Sequence, residues 1–374
     1  MTHLLQEVPE VLLMGPGPSS IHPQTYQAMA LPTLGHMDSQ FIGIMDETSE
    51  MLRRLMNTKN ALTFPVSGTG SAGMETTFVN LVEPGDRVLV LVNGVFGTRM
   101  TDVAGRLGAE VETVEAEWGS PIDPAAVRSR LSEGRSYKIV AVVHAETSTG
   151  VRNPVAEIGA EVHKTDALYL VDGVTSLGGF PVELDAWGVD AFYSGTQKCL
   201  SVPPGLAPAS FSERAVSVLE SRSGKVPNWY LDVSMLASYY QGKTRKRSYH
   251  HTAPINMIYA LHQGLALIEE EGYAAVYERH RRAHERLVAG IEELGLSMLV
   301  DPGYRLPNLN AVTVPDGVEE AGVRANLRNK HLIEIGAGLG PLAGKIWRVG
   351  IMGHTARDEN VDRFLEALKE ELGA

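Results

Sequence analysis

Between about Ser39 and Glu220 the chain alternates short β-branched runs, several of them almost continuously apolar, with longer helical patterns. Strands read this way when helices cover both of their faces. The runs expected as strands are Ala61–Phe64, Arg87–Val92, Glu110–Val114, Lys138–His144, Leu168–Asp172, Asp190–Ser194 and Ala207–Phe211. Helices are expected over Ser39–Asn57, Ala72–Val82, Thr98–Leu107, Pro124–Leu131 and Pro154–Lys164. This alternation predicts an α/β fold built on a mostly parallel seven-stranded sheet. In such sheets ligands bind outside the carboxyl ends of the strands.

The pattern changes after Val226. Pro227 to Ala253 reads as a long irregular segment, of a length that points to function or an interface. A helical stretch follows from Ile255 to about Leu294, interrupted near Gly272. Strands are expected near Asn310–Val314 and Ile346–Val349, and a last amphipathic helix from Arg357 to Leu372. With 374 residues the chain exceeds one small core. The expected division is an N-terminal arm (1–20), a large domain (21–254) and a smaller C-terminal α+β domain (255–374).

Net charge of −12 argues against non-specific nucleic-acid binding. The basic run Lys243-Thr244-Arg245-Lys246-Arg247 has no interleaved aromatics and reads as a solvated or interface loop. One cysteine, Cys199, allows no intrachain disulfide and no cysteine metal cluster. No apolar run approaches the ~18 residues of a membrane span. The start of the chain carries Glu7 and Glu10 but no Lys or Arg before Leu12, unlike a leader, so a cytoplasmic location is expected.

Two charged residues stand where strands give way to loop: Asp172 after Leu168-Tyr169-Leu170-Val171, and Lys198 in Ser194-Gly195-Thr196-Gln197-Lys198. Both would reach one crevice at the sheet's carboxyl edge. A lysine amine condenses with an aldehyde, and a carboxylate holds the proton of a pyridinium nitrogen. Together they are what pyridoxal 5′-phosphate (PLP) requires of a protein. Taken alone, they read better as a surface lysine and a turn-capping aspartate, and it is the surrounding motifs that reverse this.

Ser67-Gly68-Thr69-Gly70-Ser71-Ala72-Gly73 joins a strand to a helix, so backbone N–H groups and the Thr69 and Ser71 hydroxyls could cradle a phosphate. The same stretch spells G-x-G-x-x-G, but no strand-ending acid lies about twenty residues on for a ribose contact. A plain glycine-rich turn is the remaining alternative. Phe96, in Asn93-Gly94-Val95-Phe96-Gly97, is either a ring-stacking aromatic or a core residue at a helix start. His144-Ala145-Glu146-Thr147-Ser148-Thr149-Gly150 puts the Thr147 hydroxyl at a third strand end, where a turn or cap would use the same residues. Arg348, in Trp347-Arg348-Val349, is either a two-pronged carboxylate anchor or an edge-strand residue facing water. In Tyr249-His250-His251-Thr252 the adjacent imidazoles diverge on an extended chain and no third ligand stands nearby, so no metal is expected.

As a set, in this order and spacing, these motifs resemble the class V aminotransferases of PLP fold type I, within them the alanine–glyoxylate and serine–glyoxylate group. The resemblance runs from Gly15-Pro16-Gly17-Pro18 to Arg348. It implies that Lys198 holds the cofactor covalently and that Asp172 pairs with the ring nitrogen. Thr69, Gly70, Ser71 and Gln197 would hold the phosphate, Phe96 and Val174 would sandwich the ring, and Thr147 would lie near the phenolic oxygen. Tyr249 and Thr252 would reach the phosphate of the neighbouring subunit, which implies a homodimer with shared sites. Arg348 would anchor the substrate carboxylate and Gly17 would lie at the entrance. Relatives often carry tryptophan at Phe96 and histidine at Ser71.

The reaction so implied moves the amino group of alanine or serine to glyoxylate or pyruvate. Transaminases of phosphonate or pyridoxamine donors and lyases of the same fold are the near alternatives, and an NAD-dependent dehydrogenase is a remote one. A cysteine desulfurase needs a mobile cysteine, whereas Cys199 is fixed beside Lys198. A PLP-sensing regulator would need a DNA-binding segment that the sequence lacks.

Overall fold

Short β-branched runs become seven strands of one sheet: β1 (Leu62–Ser67), β2 (Arg87–Val92), β3 (Glu110–Glu115), β4 (Ile139–Val143), β5 (Leu168–Asp172), β6 (Ala191–Tyr193) and β7 (Leu206–Phe211). The computed structural model describes residues 4–240 and 247–373. The sheet order is β1-β7-β6-β5-β4-β2-β3. Only β7 runs against its neighbours; the pairs β6–β5, β5–β4, β4–β2 and β2–β3 are parallel. Helices α1 (Ser39–Leu55), α2 (Gly70–Leu81), α3 (Val95–Arg106), α4 (Pro124–Leu131) and α5 (Val155–Val162) follow or precede these strands. Strands β1, β4, β5, β6 and β7 are buried along their whole length, as runs covered on both faces must be. Edge strand β3 is half-exposed and carries Glu110, Glu112 and Glu115, charges that block pairing with another chain.

Asp190 fastens the start of β6. Its carboxylate accepts from Tyr169 N at 3.0 Å, Ser212 Oγ at 2.7 Å and Arg214 Nη1 at 2.9 Å. Three charge-assisted bonds on one buried carboxylate hold β5, β6 and the end of β7 in register next to the crevice.

The segment expected to be irregular contains α6 (Val233–Tyr240). Val233, Leu236, Ala237 and Tyr240 are buried and stand at i, i+3, i+4 and i+7, a helical period masked by the polar residues on either side. Within the basic run, residues 243–246 lie outside the described residues. Arg247 donates to Asp46 and to the Tyr239 carbonyl, each at 2.6 Å. Helices α7 (Ile255–Glu271) and α8 (Tyr273–Glu293) break at Gly272. A second, three-stranded antiparallel sheet follows, with β8 (Leu309–Thr313), β9 (Gly336–Ala337) and β10 (Ile346–Gly350) in the order β8-β10-β9. Helices α9 (Glu320–Lys330) and α10 (Asp358–Leu372) pack with it.

The apolar interior forms two main clusters. The larger joins the seven-stranded sheet to its helices and to α7. The other gathers Ala283, Leu287 and Ile291 of α8 with Trp347, Val349, Phe364 and Leu368, and also takes Met14. Met14 arrives there because Leu12–Leu13 pairs with Ile333–Glu334 and Gly350 N donates to Met14 O at 2.7 Å. Five residues on, Ser19 N donates to Gln197 O at 2.9 Å and Ser19 Oγ to Lys198 O at 2.7 Å. The segment from Leu12 to Ser19 therefore stitches the second core to the lysine loop. Among the described residues no helix is long and apolar enough to cross a membrane.

Candidate active site

Strand register sets the first pair of groups. Asp172 ends β5 opposite Tyr193 of β6, so both side chains leave the sheet on one face. Tyr193 Oη donates to Asp172 Oδ2 at 2.6 Å, and Val174 N donates to Oδ1 at 2.8 Å. The carboxyl is buried, and burial raises it to about 6 against the pull of Tyr193, Val174, Lys198 and Arg99. An acidic oxygen with only two donors in a dry crevice has capacity to accept a further N–H.

Lys198 lies in the turn between β6 and β7 and is also buried. Burial lowers its ammonium to about 8, and the positive charge of Arg348 acts in the same direction. Its Nζ donates to the Pro16 carbonyl. Gly17 has φ +101°, and a Cβ there would stand 2.6 Å from Lys198 Cδ and 2.7 Å from Nζ. Only glycine lets the N-terminal segment pass so close to the amine.

Arg348 occupies the central strand of the three-stranded sheet and is buried, which excludes the edge-strand alternative. Its Nε donates to Ala337 O at 2.7 Å and Nη1 to Thr147 O at 3.2 Å. Burial lowers it to about 10, and among the described residues it has no ion-pair partner. The Thr147 hydroxyl shares a 2.7 Å bond with Thr175 Oγ1.

At the start of α2, Thr69 is the N-cap residue but makes no side-chain cap bond, and both Thr69 and Ser71 are exposed. Gly70 is buried close to Val174 and Gly195: a Cβ on it would meet Val174 Cγ2 at 3.3 Å. Gln197 Oε1 is buried without a hydrogen-bond partner. Phe96 is half-buried, and the Arg99 guanidinium lies 4.9 Å from its ring centre. Tyr249 and Thr252 stand apart from all of these. Both are exposed, Tyr249 at 58%, and they contact each other across 3.4 Å. His250 and His251 are buried, joined Nδ1 to Nδ1 at 2.9 Å, with His251 Nε2 2.7 Å from Ser67 Oγ.

The structure thus gathers Gly17, Lys198, Asp172, Thr147 and Arg348 around one crevice, with Gly70 and Val174 at its flank. Two groups escaped sequence reasoning. Glu146 is fully buried and burial raises it to about 7. Its signal was the same as that of Asp172, an acid just beyond an apolar strand. Arg99 gave none, because a helix-face arginine is ordinarily solvated.

The residues fit PLP. Asp172 offers a buried acceptor, Lys198 an amine of lowered pKa, and the α2 N-terminus its backbone N–H groups, with Gly195 close to both Gly70 and the Gln197 side chain.

Comparison with known proteins agrees. The family model described as aminotransferase class-V matches residues 21–364. An (S)-ureidoglycine–glyoxylate transaminase of Bacillus subtilis is 40% identical over 96% of this chain and 90% of its own. An alanine–glyoxylate aminotransferase of Callithrix jacchus is 40% identical over 98% of this chain and 88% of its own. The crystal structure of an alanine–glyoxylate aminotransferase from Nostoc sp. superposes with TM-score 0.95 at 49% identity, covering 98% of this chain and 96% of that one.

The lowered Lys198 value has a direct consequence. Only the neutral amine attacks an aldehyde, so capture of an added aldehyde by cofactor-free protein should rise with pH through a midpoint of about 8. Arg348→Met removes the neighbouring positive charge and should move that midpoint upward. A wild-type midpoint near the usual lysine value, or one unmoved in Arg348→Met, would contradict this electrostatic account.

Proposed function

Because the chain belongs to the class V aminotransferases and is a PLP enzyme, we propose that it moves the amino group of alanine or serine to glyoxylate or pyruvate. The observation that carries the reading is Arg348. A buried guanidinium with two backbone bonds and no carboxylate partner among the described residues is suited to one α-carboxylate. Its charge already acts on the Lys198 amine. The Bacillus subtilis and Callithrix jacchus relatives both carry glyoxylate in their names. The Bacillus subtilis relative is 40% identical, like the alanine–glyoxylate aminotransferase, and its name supports (S)-ureidoglycine as a second candidate donor.

Bound PLP supplies an aldehyde that links to amines and a ring that takes up an electron pair. Lys198 would hold it, and Asp172 would keep a proton on the ring nitrogen. Thr69, Gly70, Ser71 and Gln197 would bind the phosphate, with Phe96 and Val174 on the ring and Thr147 near its phenolic oxygen. Arg348 orients the substrate by its carboxylate so that the α-hydrogen faces Lys198, and Gly17 leaves the entrance open. The Lys198 amine, lowered to about 8 and so partly neutral near that pH, would take the α-proton at Nζ and later release it again from the same atom. Donor and acceptor use the same Arg348 in turn, so ping-pong kinetics follow. Cys199 does not serve a desulfurase: its buried thiol is pushed up to about 11 and accepts from Asn308 Nδ2 at 2.9 Å.

The proposal includes a homodimer in the cytoplasm. Exposed Tyr249 and Thr252 supply nothing to their own crevice, while Thr69 and Ser71 face outward, so a second copy would complete the phosphate site. Exposed Trp229 and Tyr230 beside His250 give that face the apolar character of an interface. The arm, large domain and small domain belong to the same reading. Two cores favour two domains, but they change over between Val276 and Ala283, within α8, rather than at residue 254, because α7 packs in the larger core.

Two experiments check these points. In a donor panel with glyoxylate and pyruvate, small neutral donors should outrun aspartate and glutamate, and Arg348→Lys should raise KM for donor and acceptor alike. Efficient glutamate turnover, or unchanged KM values in Arg348→Lys, would contradict the single-anchor reading. Mixing Lys198→Ala subunits with Tyr249→Phe/Thr252→Ala subunits should restore activity, since one of the two shared sites in each hybrid stays intact. A fully active monomer in sedimentation would rule out shared sites.

A further inference from the structure

We propose that Glu146 is a positioning residue that replaces the missing cap of α3 and thereby fixes Phe96 for cofactor binding. The inference rests on the reading of Phe96 as a ring contact.

Helix α3 starts after Gly94, which has no side chain to cap the first N–H groups. A helix start left so would bury unsatisfied donors. Here the acceptors come from a segment some fifty residues later in sequence. Val95 N donates to Ser148 Oγ at 3.0 Å, and Phe96 N and Gly97 N donate to Glu146 Oε2 at 3.2 and 3.4 Å. The other carboxylate oxygen accepts from Ser148 Oγ at 2.6 Å and from Ser148 N at 3.1 Å. One carboxylate therefore clamps the backbone of Phe96 to the loop that carries Thr147, whose carbonyl in turn accepts from Arg348.

Gly94 makes the clamp possible. A Cβ on it would land within the Glu146 carboxyl and the Ser148 hydroxyl. A serine or aspartate at that position could cap the helix locally, but it would leave Phe96 untied to the crevice. The clamp is also costly, because Glu146 is fully buried and a dry carboxylate needs all its donors. The positive end of α3 offsets part of that cost. A local cap would serve the helix at less expense, so the distant acid serves the site.

The test reads cofactor binding rather than turnover. Cofactor-free protein is titrated with PLP, and visible circular dichroism reports how firmly the bound ring is held. Glu146→Gln should weaken PLP binding about ten- to a hundredfold and diminish the visible signal. Phe96→Leu should weaken binding as well, and the double variant should bind no worse than the weaker single one. Glu146→Gln combined with Thr69→Ala should instead multiply the two losses, as for independent sites. Ser148→Ala, which keeps the carboxylate, should give the same pattern at smaller size and serves if Glu146→Gln does not fold. Unchanged affinity and signal, or losses from Glu146→Gln and Phe96→Leu that multiply, would overturn the proposal. Wild-type protein that binds PLP tightly but turns over none of the small donors would contradict the substrate reading and leave Glu146 untouched.

Discussion

Three charged side chains, Asp172, Lys198 and Arg348, are withdrawn from water around one crevice at the carboxyl edge of the seven-stranded sheet. Each is shifted toward its neutral form, and in each case burial is the leading cause. Dry charges of this kind cost several kcal/mol unless partners return the lost solvation. Asp172 has a phenol and one amide, Arg348 has two carbonyls, and Lys198 has one carbonyl. These partners orient the groups without neutralising them. Asp172 can then attract a ring cation and Arg348 a substrate carboxylate, while the lowered Lys198 amine is free to attack an aldehyde, the three things a PLP transaminase must hold.

The fold holds such a site by enclosing it from two sides. Asp172 comes from the large sheet and Arg348 from the small one, each on a strand interior to its sheet. The stretch from Leu12 to Ser19 runs between the two cores, with Met14 buried in one and Ser19 bonded to the lysine loop of the other. Gly17 crosses the Lys198 side chain along this path. The arm is therefore part of the site's wall, and the amine is shielded by backbone rather than by a movable side chain. Among the described residues Thr69 and Ser71 are exposed, and the proposed second copy would cover them.

Most of this architecture was legible in sequence. Short runs bounded by turns marked the strands of the large sheet to within a few residues; in the strands buried on both faces there is little room for polar residues, whereas edge strand β3 carries three glutamates. Asp172 and Lys198 stood out as charges at the ends of such runs. What stayed hidden depended on distances between segments. Arg348 could be read as facing water until β10 proved to be the central strand of its sheet. Helix α6 was masked by its polar flanks. Glu146 carried the same strand-end signal as Asp172, yet its role depends on α3, some fifty residues earlier. That relation exists only in three dimensions.

The central claim is that the fold delivers one particular amine to the cofactor. Borohydride reduction of the PLP-loaded protein, followed by peptide mapping, tests it most directly. The account predicts a single phosphopyridoxyl label on Lys198, and its absence from that peptide in Lys198→Ala. A label on any other lysine, or an undiminished label in Lys198→Ala, would contradict it.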